Sequence, residues 1–314
     1  MAIKSKFSTL PASKVRRMGY LFILPFFVFF ISFNLYPMIY SFVLSFYQWN
    51  GVGRRTFLGF NNYVRLFTSD PSFFRSIGNT IIFLLGSLPL MIIAGLLIAT
   101  LLSRKGLKGV RFFQTSQFLP YIIAPVSVAM LFLLLFDWST GMVNQILLRL
   151  GILSEGLNWL GSPGLARLVV ILLIVWCQLG YVVTLFLAGM TNISPDLLEA
   201  AEVDGASYFQ KLLKIIVPLL KNIILFIVIT GTIGGLQLFD APQMLFSSGI
   251  TVRALGGPGR SGLTAVWYLI DTSFGRSTGT PQMGYGAAIS YSLFLIIGVI
   301  SFVNYSIIGR RRDH

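Results

Sequence analysis

Long apolar stretches separated by short basic loops constrain this chain more than any other feature. Each stretch is long enough to cross a bilayer as a helix, which takes roughly 20 residues. Because lipid offers no hydrogen-bond partners to the backbone, only a helix satisfies all the peptide groups of such a stretch. The sequence therefore predicts six transmembrane helices, with the limits Gly19–Phe42, Ile77–Leu102, Phe118–Phe136, Leu168–Met190, Ile215–Leu238 and Tyr285–Ile308.

Composition supports an all-α, polytopic integral membrane protein and excludes several other classes. Hydrophobic residues make up 55% of the 314 residues and charged residues 11%, whereas soluble domains carry about a quarter charged residues. The net charge of +14 does not indicate a nucleic-acid partner, because the basic residues cluster between apolar runs and form no stripe interleaved with aromatic residues. A metal site or an internal disulfide is not expected, since the single cysteine is Cys177 and the single histidine is the C-terminal His314.

The distribution of Lys and Arg predicts the orientation in the membrane. These residues are more frequent in the two tails and the even-numbered loops than in the odd-numbered loops, and cytoplasmic loops carry the basic excess. Both termini are therefore predicted to be cytoplasmic. Four aromatic residues beyond the ends of the first and third spans suit the interfacial belt: Tyr47, Trp49, Trp138 and Trp159. The expected segments are a basic tail at 1–18, the first span and its outer loop at 19–75, a five-span core at 76–309 with a loop at 194–217, and a second tail at 310–314.

The loop between the fourth and fifth stretches predicts two short helices that form a rigid elbow. Ser194 suits the N-cap of the first helix. Gly205 is expected to end it, because glycine adopts the left-handed conformation without a Cβ penalty. Ser207 followed by Gln210 is a capping-box pattern for the second helix, which is expected to bend before Pro218.

Such an elbow suits a membrane protein on which a partner outside the bilayer must push. Ala200 and Ala201 allow close approach, and Glu199 offers a charge-assisted contact. The alternative is a capped connector that lies on the membrane surface. The pattern of the loop alone does not separate these two interpretations.

Residues in and after this loop resemble the EAA signature of ABC importer permeases: Glu199-Ala200-Ala201, Asp204-Gly205-Ala206, Ile215 and Pro218-Leu219. The resemblance extends along nearly the whole chain to the sugar-permease branch, the family of maltose, lactose and glycerol-phosphate permease subunits. It is carried by Phe57-Leu58-Gly59-Phe60-Asn61-Asn62-Tyr63, Asn79-Thr80, Leu119-Pro120, Gly141-Met142-Val143-Asn144, Trp159-Leu160-Gly161, Trp176, Ala188-Gly189-Met190, Gly256-Gly257-Pro258-Gly259 and Met283-Gly284-Tyr285. Two departures lie at the edge of the signature: Leu212, where the family often has Phe, and Lys221-Asn222, where a second Pro is common.

This resemblance implies a type I importer permease fold and a role in carbohydrate import. The implied coupling helix, which docks on a separate ATPase subunit, contains Glu199, Ala200, Ala201, Asp204, Gly205 and Ala206. The implied partners are a second homologous permease, two ATPase subunits, an extracellular or periplasmic solute-binding protein and a sugar substrate. ATP and magnesium are expected on the ATPase subunits, with no cofactor on this chain, and the implied location is a bacterial inner membrane.

Other functional classes lack their expected residues. The chain has no G-x-x-x-x-G-K-[ST] loop to bind the phosphates of ATP, and its terminal histidine offers no Ser/His/Asp arrangement, so it is not expected to be an enzyme. A secondary carrier, the alternative function, would show charged residues at mid-membrane or an internal repeat. Amino-acid and phosphate permeases share the coupling signature but not the outer-loop patterns.

Polar residues within the fourth and fifth stretches are candidates for a substrate path. Thr230, Gly234 and Gln237 have the i, i+4, i+7 spacing of one helix face. Amide, hydroxyl and aromatic groups suit a sugar, and the fourth stretch supplies them at Trp176, Gln178 and Tyr181, of which the last two share a face. Helix packing is the alternative explanation, because the neighbouring glycines at 231 and 235 form a G-x-x-x-G pair.

Overall fold

The structure is a computed structural model that describes residues 12–104, 106–247, 255–277 and 279–309. The outer parts of both basic tails, Lys105 and Arg253 lie outside these residues, so the orientation prediction is not tested there. Within the described residues the α-helices are α1 Ala12–Phe30, α2 Tyr36–Leu44, α3 Asn61–Thr68, α4 Pro71–Leu102, α5 Val110–Ile122, α6 Pro125–Leu135, α7 Met142–Arg149, α8 Pro163–Met190, α9 Pro195–Val203, α10 Tyr208–Lys211, α11 Val217–Leu219, α12 Lys221–Leu236, α13 Asp240–Ser247, α14 Ala265–Phe274 and α15 Met283–Gly309. The strands β1 Tyr47–Gln48 and β2 Thr56–Phe57 pair antiparallel and add a short ribbon to the helical fold.

Apolar helices of spanning length agree with the predicted class. Four unbroken candidates lie within the described residues: Gly19–Leu44, Pro71–Leu102, Pro163–Met190 and Met283–Ser306. Two further candidates are bent pairs, α5 with α6 at 100° and the segment Tyr208–Leu219 with α12 at 70°. The described residues thus hold up to six candidate spans when each bent pair counts as one. The third span, which was predicted as one helix over Phe118–Phe136, is formed by two helices.

The break in the third span follows from a proline. Ile123 and Ala124 have extended backbone angles, with ψ of 141° and 131°. Ala124 precedes Pro125, and the proline ring disfavours the helical conformation of the residue before it. The helix that was predicted to run from Phe118 to Phe136 therefore stops and restarts in a new direction.

The bend near the fifth span lies after Pro218 and not before it, which corrects the prediction. A π-helical turn at Leu212–Ile216 joins α10 to α11, and the Val217 N–H bonds to the Leu212 carbonyl. The widened turn shifts the hydrogen-bond pattern just ahead of the proline, so the helix continues through it. The chain turns at Leu220, where φ is −87° and ψ is 5°.

One compact unit, unit 1, comprises residues 1–68 and 272–291. A π-helical turn at Ile31–Leu35 joins α1 to α2, and together they form the first span. In the most apolar part of this span no residue is buried within the protein, as expected for a helix that faces lipid. The ribbon follows, with Tyr47 opposite Phe57. Asn62 on α3 is 5% exposed and donates hydrogen bonds to the carbonyls of Ser45 and Tyr47 at 2.8 and 3.1 Å, which fixes α3 to the end of the span.

The second unit, unit 2, comprises residues 69–271 and 292–314. Its most extensive helix pair is α4 with α8, and α5 and α12 pack against them. The α4 helix begins at Pro71, before the predicted Ile77, because the Asp70 carboxylate caps it by accepting from the N–H groups of Ser72 and Phe73 at 3.0 and 3.1 Å. Apolar side chains of these helices and of α6 form two buried clusters, one containing Phe83, Phe132 and Val170 and one containing Leu88, Val183 and Phe186.

Trp159 belongs to the core of unit 2, so its assignment to the interfacial belt is wrong. It is 8% exposed, and its indole N–H donates to Asn144 Oδ1 at 2.8 Å. Asn144 is itself 2% exposed and donates to the carbonyls of Trp138 and Leu157 at 3.0 and 2.9 Å. A buried indole needs a partner for its donor, and this asparagine supplies it. Trp138, at 63% exposed, remains compatible with a membrane interface.

Candidate functional site

The loop after α8 contains a helix end of the Schellman type. Gly205 has a φ of +76°. Its N–H bonds to the Glu202 carbonyl at 3.0 Å, and the Ala206 N–H bonds to the Ala201 carbonyl at 2.9 Å. These two bonds satisfy carbonyls that the end of α9 would otherwise leave unpaired. The prediction that Gly205 ends the first helix of the elbow is confirmed.

The second helix of the elbow starts with the predicted capping box. The Ser207 N–H donates to Gln210 Oε1 at 2.7 Å, and the Gln210 N–H donates to Ser207 Oγ at 3.3 Å. An ion pair between Glu202 and Lys211 connects the two helices. At the start of α9 the prediction is only partly right: Ser194 occupies the N-cap position, but its side chain makes no capping hydrogen bond.

The elbow is also attached to the end of α4. The Arg104 guanidinium lies 4.6 Å from the centroid of the Tyr208 ring, a distance at which a cation is attracted to an aromatic face. On α9, the Leu198 side chain packs against the buried cluster of Leu88 and Phe186. A displacement of the elbow would therefore also displace the helices that form the core of unit 2.

The opposite face of α9 carries apolar side chains that nothing in the described residues covers. Leu197 is 46% exposed and Val203 88% exposed, and Ala200 between them is exposed as well. Their i, i+3, i+6 spacing places them on one side of the helix. Of the six predicted coupling residues, four are exposed and two half-buried: the exposed ones are Glu199, Ala200, Asp204 and Gly205, and the half-buried ones Ala201 and Ala206. Exposed apolar residues on a short, capped helix are typical of a protein-docking surface.

The small and polar residues of α12 were interpreted both as part of a substrate path and as a helix-packing surface, and the two interpretations apply to different faces of the helix. The glycines at 231 and 235 pack on α4: a Cβ added to either would lie 2.6 Å from a methyl carbon of Leu88 or Leu84, respectively. Thr230, Gly234 and Gln237 are exposed on the remaining surface, and the Thr230 hydroxyl donates to the carbonyl of Phe226 at 2.7 Å. The G-x-x-x-G pair serves helix packing, while the predicted polar face is free of packing within unit 2.

On α8, the three candidate residues have different surroundings. Gln178 is exposed. Tyr181 is half-buried and stacks on Tyr121 at 5.2 Å between ring centroids, and the Trp176 ring lies 5.4 Å from that of Phe132. Among the described residues no hydrogen bond joins these side chains to the candidates on α12. The substrate role of the candidate residues on α8 and on α12 therefore stays a prediction.

A buried polar cluster near the start of α4 was missed by the sequence analysis. Asn79 is 2% exposed and donates to the carbonyls of Arg260 and Leu263 at 2.8 and 3.0 Å, while its Oδ1 accepts from Arg167 Nη2 at 2.9 Å. Arg260 has a φ of +58°, which is uncommon for a residue other than glycine. The signal in the sequence was a polar residue inside an apolar stretch, which usually makes a specific hydrogen bond.

The carboxylate of Asp137, in the loop after α6, has a lowered pKa. The Thr140 backbone N–H, followed by the Ser139 and Thr140 hydroxyls, bonds to the Asp137 carboxylate and lowers its pKa from 3.8 to about 2. These bonds are 2.8 to 3.0 Å long and turn the chain after α6. Within the described residues no group of three or more His, Cys, Asp or Glu side chains is placed to hold a metal ion.

These features define a helical membrane protein with several spans and a capped elbow that has an exposed apolar face. The chain belongs to the family described as binding-protein-dependent transport system inner membrane component, whose family model matches residues 91–313. The match includes the elbow, both bent spans and the last span. The chain is thus a component of an inner-membrane transport system.

Similar proteins extend this relationship over nearly the whole chain. The lactose transport system permease protein LacF of Rhizobium radiobacter is 36% identical over 287 residues, which cover 91% of this chain and 92% of LacF. The arabinooligosaccharides transport system permease protein AraP of Bacillus subtilis (strain 168) is 33% identical over 291 residues, with 92% and 88% covered. A crystal structure of a bacterial ABC transporter that imports the acidic polysaccharide alginate includes a chain of the same fold, with a TM-score of 0.79, 24% identity, and 96% and 98% covered.

Proposed function

We propose that this chain is a permease subunit of an ATP-binding-cassette importer, and that it forms the translocation path for a carbohydrate or polyol together with a second permease. The substrate would be delivered by an extracellular binding protein. Family membership and the names of LacF and AraP support the carbohydrate class. The observation that carries the mechanism is the capped elbow with its exposed apolar face.

In this proposal α9 docks on a separate ATPase subunit. Leu197, Ala200 and Val203 supply the apolar contact, and the small side chains of the EAA signature allow the partner to approach closely. Glu199 and Asp204 are placed at the border of this face for polar contacts. ATP and magnesium would bind the ATPase subunit, in keeping with the lack of a phosphate-binding loop in this sequence.

The elbow would then lie on the cytoplasmic side with both termini, as the basic residues of the tails and even-numbered loops predict. The binding protein would approach the other side of the membrane. Closure of two ATPase subunits would move the elbow, and the contact between Arg104 and Tyr208 and the packing of Leu198 would pass the movement to the core helices.

The proposed substrate path is lined by Trp176, Gln178, Tyr181, Thr230, Gly234 and Gln237. Gln178 and Gln237 offer amides for sugar hydroxyls, and Trp176 offers an aromatic surface for sugar C–H groups. Support comes from the exposure of five of them, all but the half-buried Tyr181, since polar residues that unit 2 leaves uncovered within apolar helices suit a water-filled path. Replacing Gln178 or Gln237 by Ala is expected to raise the KM for uptake without changing the amount of assembled complex.

A mild-detergent pull-down of the tagged chain from its native cells tests the coupling role. A second multi-span protein and a P-loop ATPase are expected to remain bound. Gly205→Pro is expected to release the ATPase, because proline cannot adopt a positive φ or donate the bond to Glu202. The matched control is Gly53→Pro, at a glycine of similar φ, +77°, in the ribbon loop. Wild-type ATPase recovery with Gly205→Pro would contradict the coupling role.

A secondary carrier remains the competing function. Proteoliposomes that contain the purified complex distinguish the two, because an importer requires ATP and magnesium on the ATPase side. Uptake of a labelled sugar that proceeds without ATP and responds to an ion gradient would contradict the importer proposal.

A further inference from the structure

A polar cleft in unit 1 has the features of a ligand site and shares no lining residue with the proposed path. Its volume is about 350 Å³, near the lower end of the range of ~300–1,000 Å³ for small-molecule sites. Three segments form it: the β1 end of the ribbon with the residues after it, the start of α3, and the turn that enters α15. Its polar lining is dominated by the side-chain amides of Gln48, Asn50, Asn61, Asn62 and Gln282.

The three segments are held together by specific contacts. Arg65 on α3 donates to Gln282 Oε1 at 3.1 Å, and its guanidinium lies 4.3 Å from the centroid of the Tyr285 ring. Gly284 approaches the ribbon so closely that an added Cβ would lie 1.9 Å from the Tyr47 carbonyl oxygen. A cleft fixed in this way loses little entropy when it binds a ligand.

The chemistry of the lining suits a saccharide ring. A side-chain amide carries both donors and acceptors, so it pairs with hydroxyl groups in either sense. Trp49 adds aromatic surface, whereas Tyr285 is 3% exposed and lies under the Arg65 guanidinium. Arg65 is the one charged side chain among the lining residues, with no carboxylate among them. The groups that a ligand can reach are the exposed amides of Gln48, Asn50 and Asn61, whereas the Trp49 indole N–H is buried.

We propose that this cleft is a second carbohydrate site, separate from the faces of α8 and α12. In a six-span topology both loops that contribute to it follow odd-numbered spans, which places the cleft on the side of the membrane that the binding protein would approach. The choice of a saccharide as the ligand rests on the proposed function, whereas the existence of a site rests on the cleft.

Saturation-transfer difference NMR on the complete complex in nanodiscs, without binding protein or ATP, tests this site with lactose, trehalose and arabinobiose as probes. Gln48→Ala combined with Asn61→Ala removes two exposed amides whose side chains make no hydrogen bond within the described residues, so folding is expected to be kept. At least one probe is expected to bind the wild type saturably and to lose affinity about tenfold or more in this variant, which corresponds to ~1.4 kcal/mol.

Two controls separate this site from the proposed function. Asn222→Ala removes an exposed amide far along the chain, at the start of α12, and is expected to leave the affinity unchanged. Gln178→Ala is expected to impair uptake but not this binding. Absence of saturable binding by all three probes, or equal affinity in the wild type and the Gln48/Asn61 variant, would overturn the second site. ATP-dependent uptake by the wild type would still support the importer in that case.

Discussion

Asn79 on α4 and Arg167 on α8 are 88 residues apart in sequence and are joined by a 2.9 Å hydrogen bond. The amide nitrogen of the same asparagine holds the carbonyls of Arg260 and Leu263. One buried side chain therefore connects two long apolar helices with the loop before α14. The left-handed backbone at Arg260 is retained because this connection holds it in place.

Replacing Asn79 by Leu should destabilise unit 2. The substitution keeps the number and branching of the side-chain heavy atoms but leaves the Arg260 and Leu263 carbonyls and one Arg167 donor without their partner, at a cost of about 1–3 kcal/mol. A thermal unfolding scan in detergent measures the loss as a lower Tm. Asn222→Leu, at an exposed position, is the control. An unchanged Tm with Asn79→Leu would contradict the connecting role.

The two glycine faces of α12 should respond differently to a side chain. Gly235→Val places a Cβ 2.6 Å from a Leu84 methyl carbon and is expected to lower the Tm by disturbing the contact with α4. Gly234→Val meets no atom within 4 Å, so its Tm should stay close to that of the wild type. If Gly234 lines the path, this second variant should reduce uptake while remaining folded. Equal thermal stability of both variants would contradict the assignment of faces.

A close approach of α8 to α5 should make Gly180 intolerant of any side chain. A Cβ there would lie 2.1 Å from the Gln117 carbonyl oxygen, a backbone atom that cannot rotate away. Gly180→Ala is expected to cost more than about 2 kcal/mol despite the better helix propensity of alanine. Gly78→Ala, inside α4 with open space around it, should be neutral or slightly stabilising. Chemical denaturation of the two variants decides between these outcomes.

Acid should affect the turn at Asp137 only at very low pH. Because hydrogen bonds hold the folded pKa at about 2, below the ordinary value near 3.9, the stabilisation is present above the ordinary pKa and is lost as the pH falls through about 2. Protection of the Ser139 and Thr140 amides from hydrogen exchange should therefore persist from pH 6 to pH 3. Asp137→Ala should remove that protection at both pH values. Loss of wild-type protection already near pH 4 would contradict the lowered pKa.

Short-range patterns predicted the elbow well. Gly205 and the pair Ser207 and Gln210 act on backbone groups within a few residues. Their effect can therefore be predicted from the local sequence alone. The same reasoning failed at Ser194, whose hydroxyl makes no capping bond although the residue stands at the N-cap. It also placed the bend before Pro218, because a π-helical turn that accommodates a proline leaves no recognisable pattern in the sequence.

Hydropathy predicted how many spans the chain has but not their direction. It measures the transfer of side chains into lipid, and it takes no account of the backbone at Ala124, where the restriction before Pro125 turns the third span by 100°. The burial of Trp159 was missed for a related reason. Its place next to an apolar stretch suggested the interface, whereas its actual position depends on Asn144, fifteen residues earlier, which accepts its N–H.

The sequence by itself determined the class of protein, the number of spans and the capped elbow, because lipid solvation and helix capping depend on residues that are neighbours in the chain. Only the tertiary structure decided which face of α12 packs on α4, that Asn79 reaches Arg167, and that amides from two distant loops line one cleft. These relationships arise when helices pack against one another. Packing depends on the shapes of side chains far apart in sequence, which no local pattern records.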